Sequence, residues 1–357
     1  TCLGTGGGML LWLGVMLARA EAPVVGAQCT LATDIKVITE DDATIALHHH
    51  FGRGAPVLLV HGISSNHTFW DLDPQHSLAE WLVEQGWDVW AMDLRGHGTA
   101  MTTPEGRPQR AGWKIDDYGR YDLPAAVQHI RACTGYKNVA YVGHSMGGMV
   151  SAIYMTHGGA DQLSANIAVG SPASFVDTGD PLVGLAKVGF SLGGTALLWV
   201  ATPLAADFAA LAPGLVPGRM QERLYNPANM DAPTIAPMMR NIVSPLSRGE
   251  MKHFARMLQS GEFMDFRGEK NYLTELGTVQ VPTLVIAGEG DQVAPPAWVR
   301  PYYDAMGGEK EFLLAGPSSG FAEPYGHLDL GLGKNATTEI FPRIEAWLRA
   351  HPPVKGS

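Results

Sequence analysis

Along this chain, short unbroken apolar runs alternate with stretches whose apolar residues recur every three or four positions. The runs are Val57-Leu-Leu-Val60, Trp87-Asp-Val-Trp-Ala-Met92, Val139-Ala-Tyr-Val142, Ala165-Asn-Ile-Ala-Val169, Thr283-Leu-Val-Ile-Ala287 and Phe312-Leu-Leu-Ala315. Runs of this length, apolar on both alternating faces, suit strands covered on both sides of a sheet. Between them, Leu123, Val127 and Ile130 repeat at helical spacing, as do Met149, Val150, Ile153 and Tyr154. Residues 35–39 and 44–50 instead alternate around Glu40-Asp-Asp42 and predict a hairpin at the sheet edge. The pattern therefore predicts an α/β class: a mostly parallel sheet flanked by helices.

From residue 177 to 275 this alternation stops. Gly- and Pro-punctuated helical segments replace it, and residues 181–217 carry only two charged side chains, Lys187 and Asp207. The expectation is a helical cap, 177–275, inserted into a catalytic core made of 23–176 and 276–357. At the other end, Met9-Leu-Leu-Trp-Leu-Gly-Val-Met-Leu-Ala18 before Arg-Ala-Glu-Ala22 has the form of a signal-peptide apolar region, so 1–22 is expected to be a leader. A functional leader implies a secreted or periplasmic protein, and a non-functional one a cytoplasmic protein.

Composition narrows the classes further. With 46% hydrophobic and 17% charged residues, the chain can bury a large core and is neither disordered nor a coiled coil. A net charge of −10 without basic clusters argues against a nucleic-acid partner. Cys2, Cys29 and Cys133 form neither a disulfide framework nor a CxxC metal site, which leaves a single Cys29–Cys133 bridge open.

The chemistry gathers around Tyr141-Val-Gly-His-Ser-Met-Gly-Gly148. Ser145 stands between a predicted strand and a predicted helix, the setting of a nucleophile elbow. Gly143, Gly147 and Gly148 leave room for the turn, and the helix start aims free N–H groups at the serine. A serine hydroxyl needs a base, and in this architecture an acid and then a histidine follow on loops after late strands. Asp291 lies just past 283–287 and His327 past 312–315. Glu289, Asp177 and Asp329 are the rival acids. The oxyanion donors are expected to be the N–H groups of Met146 and of Ile63, the latter in Val60-His-Gly-Ile-Ser-Ser-Asn66, where Gly62 allows close approach. His61 is read as pinning that loop rather than as a second base.

Other features have plainer readings. In His48-His-His50, His49 points opposite to its neighbours and no carboxylate or cysteine joins them at ligand spacing, so the run is read as edge-strand surface and no metal is assigned. Arg95-Gly-His-Gly98 lacks a P-loop Lys-Ser/Thr and is read as a tight turn. His144 and His157 are expected to pack or cap.

With Ser145, Asp291 and His327 placed, the chain resembles the α/β-hydrolase superfamily from about residue 35 onward. Val60-His-Gly-Ile-Ser-Ser-Asn66, Gly86-Trp-Asp-Val-Trp90, Tyr121-Asp-Leu-Pro-Ala125 with Tyr141-Val-Gly-His-Ser145, and Gly326-His-Leu-Asp329 are similar to the acid lipase group. The resemblance implies an α/β-hydrolase fold and a lipid-ester or carboxylic-ester hydrolase without cofactor. Arg95-Gly-His-Gly98 and Ser145-Met-Gly-Gly148 depart toward the wider bacterial esterase pattern, and the cap is shorter than in lysosomal-type lipases. The apolar cap points to a hydrophobic acyl group and to contact with a lipid interface. Transfer of the acyl group to an acceptor other than water is the alternative chemistry.

Overall fold

The computed structural model describes residues 32–109, 111–176, 179, 199–200 and 222–356. These residues hold ten strands. They are β1 (Asp34–Ile38), β2 (Thr44–His50), β3 (Pro56–Val60), β4 (Asp88–Asp93), β5 (Val139–His144), β6 (Leu163–Val169), β7 (Trp199–Val200), β8 (Leu246–Ser247), β9 (Thr283–Gly288) and β10 (Lys310–Ala315). Eight of them form one sheet in the order β1-β2-β4-β3-β5-β6-β9-β10, and β7 pairs with β8 apart from it. β1, β2 and β4 pair antiparallel, while every pairing from β4 through β10 is parallel. Each of the six apolar runs is thus a strand.

The two-residue side-chain period explains why those runs are continuous. Leu58 and Val60 of β3 belong to one buried cluster, with Tyr141, Met149 and Val150. Val57 and Leu59 belong to the cluster on the opposite face, with Ala140, Val142 and Phe69. Helix α1 (Leu78–Glu84), α2 (Leu123–Thr134) and α3 (Met146–Tyr154) follow β3, β4 and β5, and α4 (Ala232–Asn241) and α5 (Arg248–Ser260) precede β9. Because β3 lies between β4 and β5, the chain leaves β3 toward one side and β5 toward the other. That reversal opens a crevice at the carboxyl ends of the strands.

Two expectations change and one stands. β2 is not an edge strand: it lies between β1 and β4, and His48 is buried against Asp93. His49, on the other face, stacks on Trp90 with ring centroids 3.6 Å apart and donates to Asp88 Oδ1 at 2.8 Å. The reading of this run as surface without a carboxylate partner fails because Asp93 and Asp88 come from β4, invisible to local spacing. The 177–275 block, expected to lack strands, contributes the short β7–β8 ladder. The Arg95–Gly98 turn stands as expected, with Gly96 at φ 78° and Gly98 at φ 47°.

Residues 1–22, Cys2, Cys29, Asp177 and nearly all of 181–217 lie outside the described residues. Cys133 is disulfide-bonded. Among the described residues, no helix is long and apolar enough to cross a membrane.

Candidate active site

β5 ends at His144 and α3 begins at Met146, so Ser145 alone makes the turn. It does so at φ 52°, ψ −116°, a conformation that L-residues avoid at a cost of about 1–3 kcal/mol. The surroundings hold it there. Ser145 N–H donates to Val169 O at 2.8 Å, carrying the β5–β6 ladder into the turn, and the Tyr141 hydroxyl donates to Gly147 O at 2.6 Å. A Cβ on Gly143 would lie 2.5 Å from the Gly147 carbonyl carbon, and one on Gly147 would lie 2.6 Å from Val60 O. On Gly148 it would strike the Ser171 side chain. All three glycines are therefore required by close approach, as the sequence pattern predicts.

The loops that carry Asp291 and His327 leave β9 and β10 on the same edge of the sheet. His327 Nδ1–H donates to Asp291 Oδ2 at 2.7 Å, both residues being buried. Asp291 Oδ1 accepts from the Val293 and Ala294 amides at 2.8 Å each, which fixes the carboxylate and leaves its other oxygen to the imidazole. Of the rivals, Glu289 and Asp329 are otherwise engaged. Glu289 accepts from Ser318 at the surface. Asp329 accepts from Gly326 N, Asn226 N and Asn229 Nδ2, tying the histidine loop to residues 226–229. Ser145 Oγ and His327 Nε2 share no hydrogen bond. They are nonetheless neighbours: the His144 ring, next in the chain to Ser145, lies 4.6 Å from the His327 ring.

On the other side of Ser145 runs the loop 61–66. A Cβ on Gly62 would lie 3.0 Å from Ser145 Cβ and 3.1 Å from His144 Nδ1, so this glycine lets the loop approach the serine. Ile63 follows it, and Met146 opens α3, where the N–H has no carbonyl one turn earlier. His61 holds the loop: its Nδ1–H donates to Gly62 O at 2.7 Å and its Nε2 accepts from Leu94 N–H at 3.2 Å. Burial pushes its pKa down to about 3, leaving it a neutral strut rather than a second base. His144 is held well below the ordinary range by burial and by facing His327. Its Nε2–H donates to the His327 carbonyl at 3.1 Å, and its ring stacks on Phe69 at 4.0 Å. His157 caps its own helix end through Ile153 O at 2.7 Å.

Local sequence patterns missed how residues 241–250 meet this loop. Ser64, at φ 53°, donates through Oγ to Ser244 O at 2.7 Å and accepts at its carbonyl from Ser244 N–H at 2.9 Å. Asn66 Nδ2 donates to Asn241 O at 2.8 Å. Just beyond, His97 Nε2 lies 3.4 Å from Glu250 Oε1, a close pair with both side chains fully buried. The one local clue is Ser247-x-x-Glu250, a capping box that starts α5.

A polar cavity of about 610 Å³ lined by Asp41, Arg95, Arg107, Trp113 and Asp117 holds none of Ser145, Asp291 and His327. His48, His67 and Asp93 form a hydrogen-bonded imidazolium–carboxylate network, and the two rings stack face to face at 3.5 Å, so both cannot coordinate one ion in plane.

Residues 55–314 match the family described as alpha/beta hydrolase fold. The chain is 27% identical over 267 residues to a non-heme haloperoxidase of Rhodococcus erythropolis, covering 73% of this chain and 83% of the relative. It is 35% identical over 138 residues to triacylglycerol lipase 2 of Arabidopsis thaliana, covering 37% of this chain. That match spans about a third of the lipase (32%). Among solved structures, a thermophilic esterase from Thermogutta terrifontis aligns with a TM-score of 0.60 at 21% identity, over 90% of this chain and 100% of the esterase, a likeness of fold alone.

Proposed function

The chain belongs to the α/β-hydrolase fold family, and from that premise we propose that it is a serine hydrolase that cleaves carboxylic esters with a hydrophobic acyl group. The observation that carries this reading is the buried Asp291–His327 pair, 2.7 Å apart, on the sheet edge where Ser145 is held in its strained turn.

In this mechanism His327 Nε2 takes the proton of Ser145 as Oγ attacks the ester carbonyl. The Ile63 and Met146 amides receive the developing oxyanion. Collapse returns the proton to the leaving alcohol and leaves an acyl-enzyme. Water, deprotonated by the same nitrogen, then attacks the acyl carbon and frees the acid. Asp291 holds the imidazole tautomer and stabilises the imidazolium.

The lipase and esterase relatives support a small-molecule or lipid ester as substrate. The charge-poor stretch 181–217 supports an apolar acyl site and contact with a lipid surface, because each buried methylene contributes about 0.8 kcal/mol. The disulfide of Cys133, with the leader-like residues 1–22, supports export to an oxidising compartment. The haloperoxidase relative favours a second reading in which a nucleophile other than water, a peroxide or an alcohol, takes the acyl group.

Release of p-nitrophenol from esters of increasing chain length tests both readings. The wild type should turn over with an optimum at a medium or long acyl chain, and Ser145→Ala should be inactive. Turnover surviving in Ser145→Ala sinks the nucleophile assignment. A marked rise with added alcohol or hydrogen peroxide shifts the reading to acyl transfer.

A further inference from the structure

Among the described residues, three that are not glycine have positive φ: Asp42 at 63°, Ser64 at 53° and Ser145 at 52°. Asp42 stands in the exposed turn of the β1–β2 hairpin, where an aspartate adopts this conformation readily. Ser145 is the candidate nucleophile. Ser64 directly follows Ile63, whose amide is an oxyanion donor in the reaction proposed above, and it occupies a region that favours glycine and asparagine over serine. A residue keeps such a conformation only where its surroundings over-determine it.

Those surroundings come from one residue 180 positions further along the chain, Ser244, on the connection between α4 and β8. Ser64 Oγ donates to Ser244 O at 2.7 Å, and Ser244 N–H donates to Ser64 O at 2.9 Å, so the side chain and the main chain of Ser64 are both held. Ser244 Oγ in turn accepts from the Gly98 amide at 3.1 Å and from Asn66 Nδ2 at 3.3 Å. Asn66 and Ser244 are buried, so water competes little for these bonds. The loop 61–66 is therefore fixed on two sides. His61 anchors its start to Leu94 and Gly62 within the core, whereas Ser64 and Asn66 anchor its end to residues 241–244. Gly62 and Ile63 lie between the two anchors.

We propose that Ser64 is a positioning residue for the oxyanion site: the hold of Ser244 on it sets the turn that aims the Ile63 N–H, and the site is complete only while residues 241–247 are docked on the core. The inference rests on the serine-hydrolase reading above. It makes that docking a condition for stabilising the transition state rather than for binding the substrate. An amide fixed before charge develops needs no reorganisation when it does, whereas one that swings free loses that advantage.

The full chain is assayed with the p-nitrophenyl esters and with an alkyl trifluoromethyl ketone as inhibitor. Ser145 Oγ adds to the ketone carbonyl, its proton passes to His327, and the carbonyl oxygen becomes the oxyanion, so the ketone's affinity reads the oxyanion site without a leaving group. Ser64→Gly accepts the left-handed turn and deletes only the hydroxyl. It should lower kcat by about 10–100-fold, weaken the ketone by a similar factor and leave KM within about threefold. Ser244→Ala keeps the main-chain bonds and loses those to its hydroxyl, so the same changes should appear at about three- to tenfold. Ser247→Ala removes the hydroxyl that caps α5 and should lower the unfolding midpoint while kcat and ketone affinity stay within about twofold. Turnover absent from the wild type, or surviving in Ser145→Ala, overturns the serine-hydrolase reading and this inference with it. Turnover lost in Ser145→Ala but unchanged in Ser64→Gly overturns the inference alone. So does a fall in kcat in Ser64→Gly with ketone affinity unchanged, or an equal fall in Ser247→Ala.

Discussion

Two buried histidine–carboxylate pairs stand in this protein in different hydrogen-bond settings. His327 and Asp291 meet at 2.7 Å at the mouth of the crevice, and His97 and Glu250 meet at 3.4 Å between the core and the cap. The carboxylate does not distinguish them. In the first pair it is satisfied by two amides and one imidazole N–H, and Nε2 of His327 faces the crevice with no protein hydrogen bond among the described residues. In the second, Nδ1 of His97 donates to Arg95 O at 3.2 Å while Nε2 faces Glu250, so neither nitrogen is left for a substrate. A base needs one nitrogen oriented and the other free. With both engaged, the same residue pair is a strut.

The sharpest way to break this comparison is to remove each histidine's function in turn. His327→Ala should lower kcat by about 10⁶-fold in the p-nitrophenyl ester assay, as losing the base of a serine triad does. Asp291→Asn, which keeps the shape but lets the imidazole take the wrong tautomer, should lower kcat by about 10⁴-fold with little change in KM. Near-normal turnover in either variant would remove that residue from the mechanism. Glu250→Gln should leave kcat within a few-fold. Its cost should appear as stability, up to about 3–5 kcal/mol in denaturant unfolding, because a buried charge loses its partner. If Glu250→Gln abolished turnover without changing stability, the distinction between base and strut would collapse.

The first pair was legible in the sequence, and the second was not. Ser145, Asp291 and His327 could be placed on one edge because each follows an apolar run long enough to be recognised as a strand, and strand ends in a parallel sheet share that edge. The central strands were legible for the same reason: double-sided burial writes itself as an unbroken apolar run. His97 and Glu250 belong to no such register. They meet only because α5 packs over the turn after β4, and nothing local to either residue encodes that packing. His48 and Asp93 were missed likewise, since a register pairing of β2 with β4 is set by the whole sheet. The apolar composition of 181–217 carries no register, so the sequence pattern describes that segment least.

The smallest expected effect separates the two pairs by their protons. Burial opposes charge on His97, but the facing Glu250 carboxylate outweighs it and raises the imidazole above its ordinary 6.5. Burial likewise opposes ionisation of Glu250, but His97 and the Ser247 amide hold its carboxyl below 4.5. A raised histidine stabilises the fold fully below 6.5 and loses that contribution as pH rises through its folded value. A lowered carboxyl stabilises the fold above 4.5 and loses that contribution as pH falls through its folded value. The pair therefore contributes most between pH 4.5 and 6.5. His61 acts in the opposite sense: kept neutral by burial, with a pKa of about 3, it lowers stability as pH falls below 6.5. That loss is common to wild type and Glu250→Gln and cancels in their difference. Thermal midpoints of the two proteins measured across pH should thus differ most between 4.5 and 6.5 and converge on the alkaline side, as His97 gives up its proton. A difference that stays flat as pH rises above 6.5 would mean that His97 is neutral throughout and that Glu250 acts through the Ser247 amide and Tyr118.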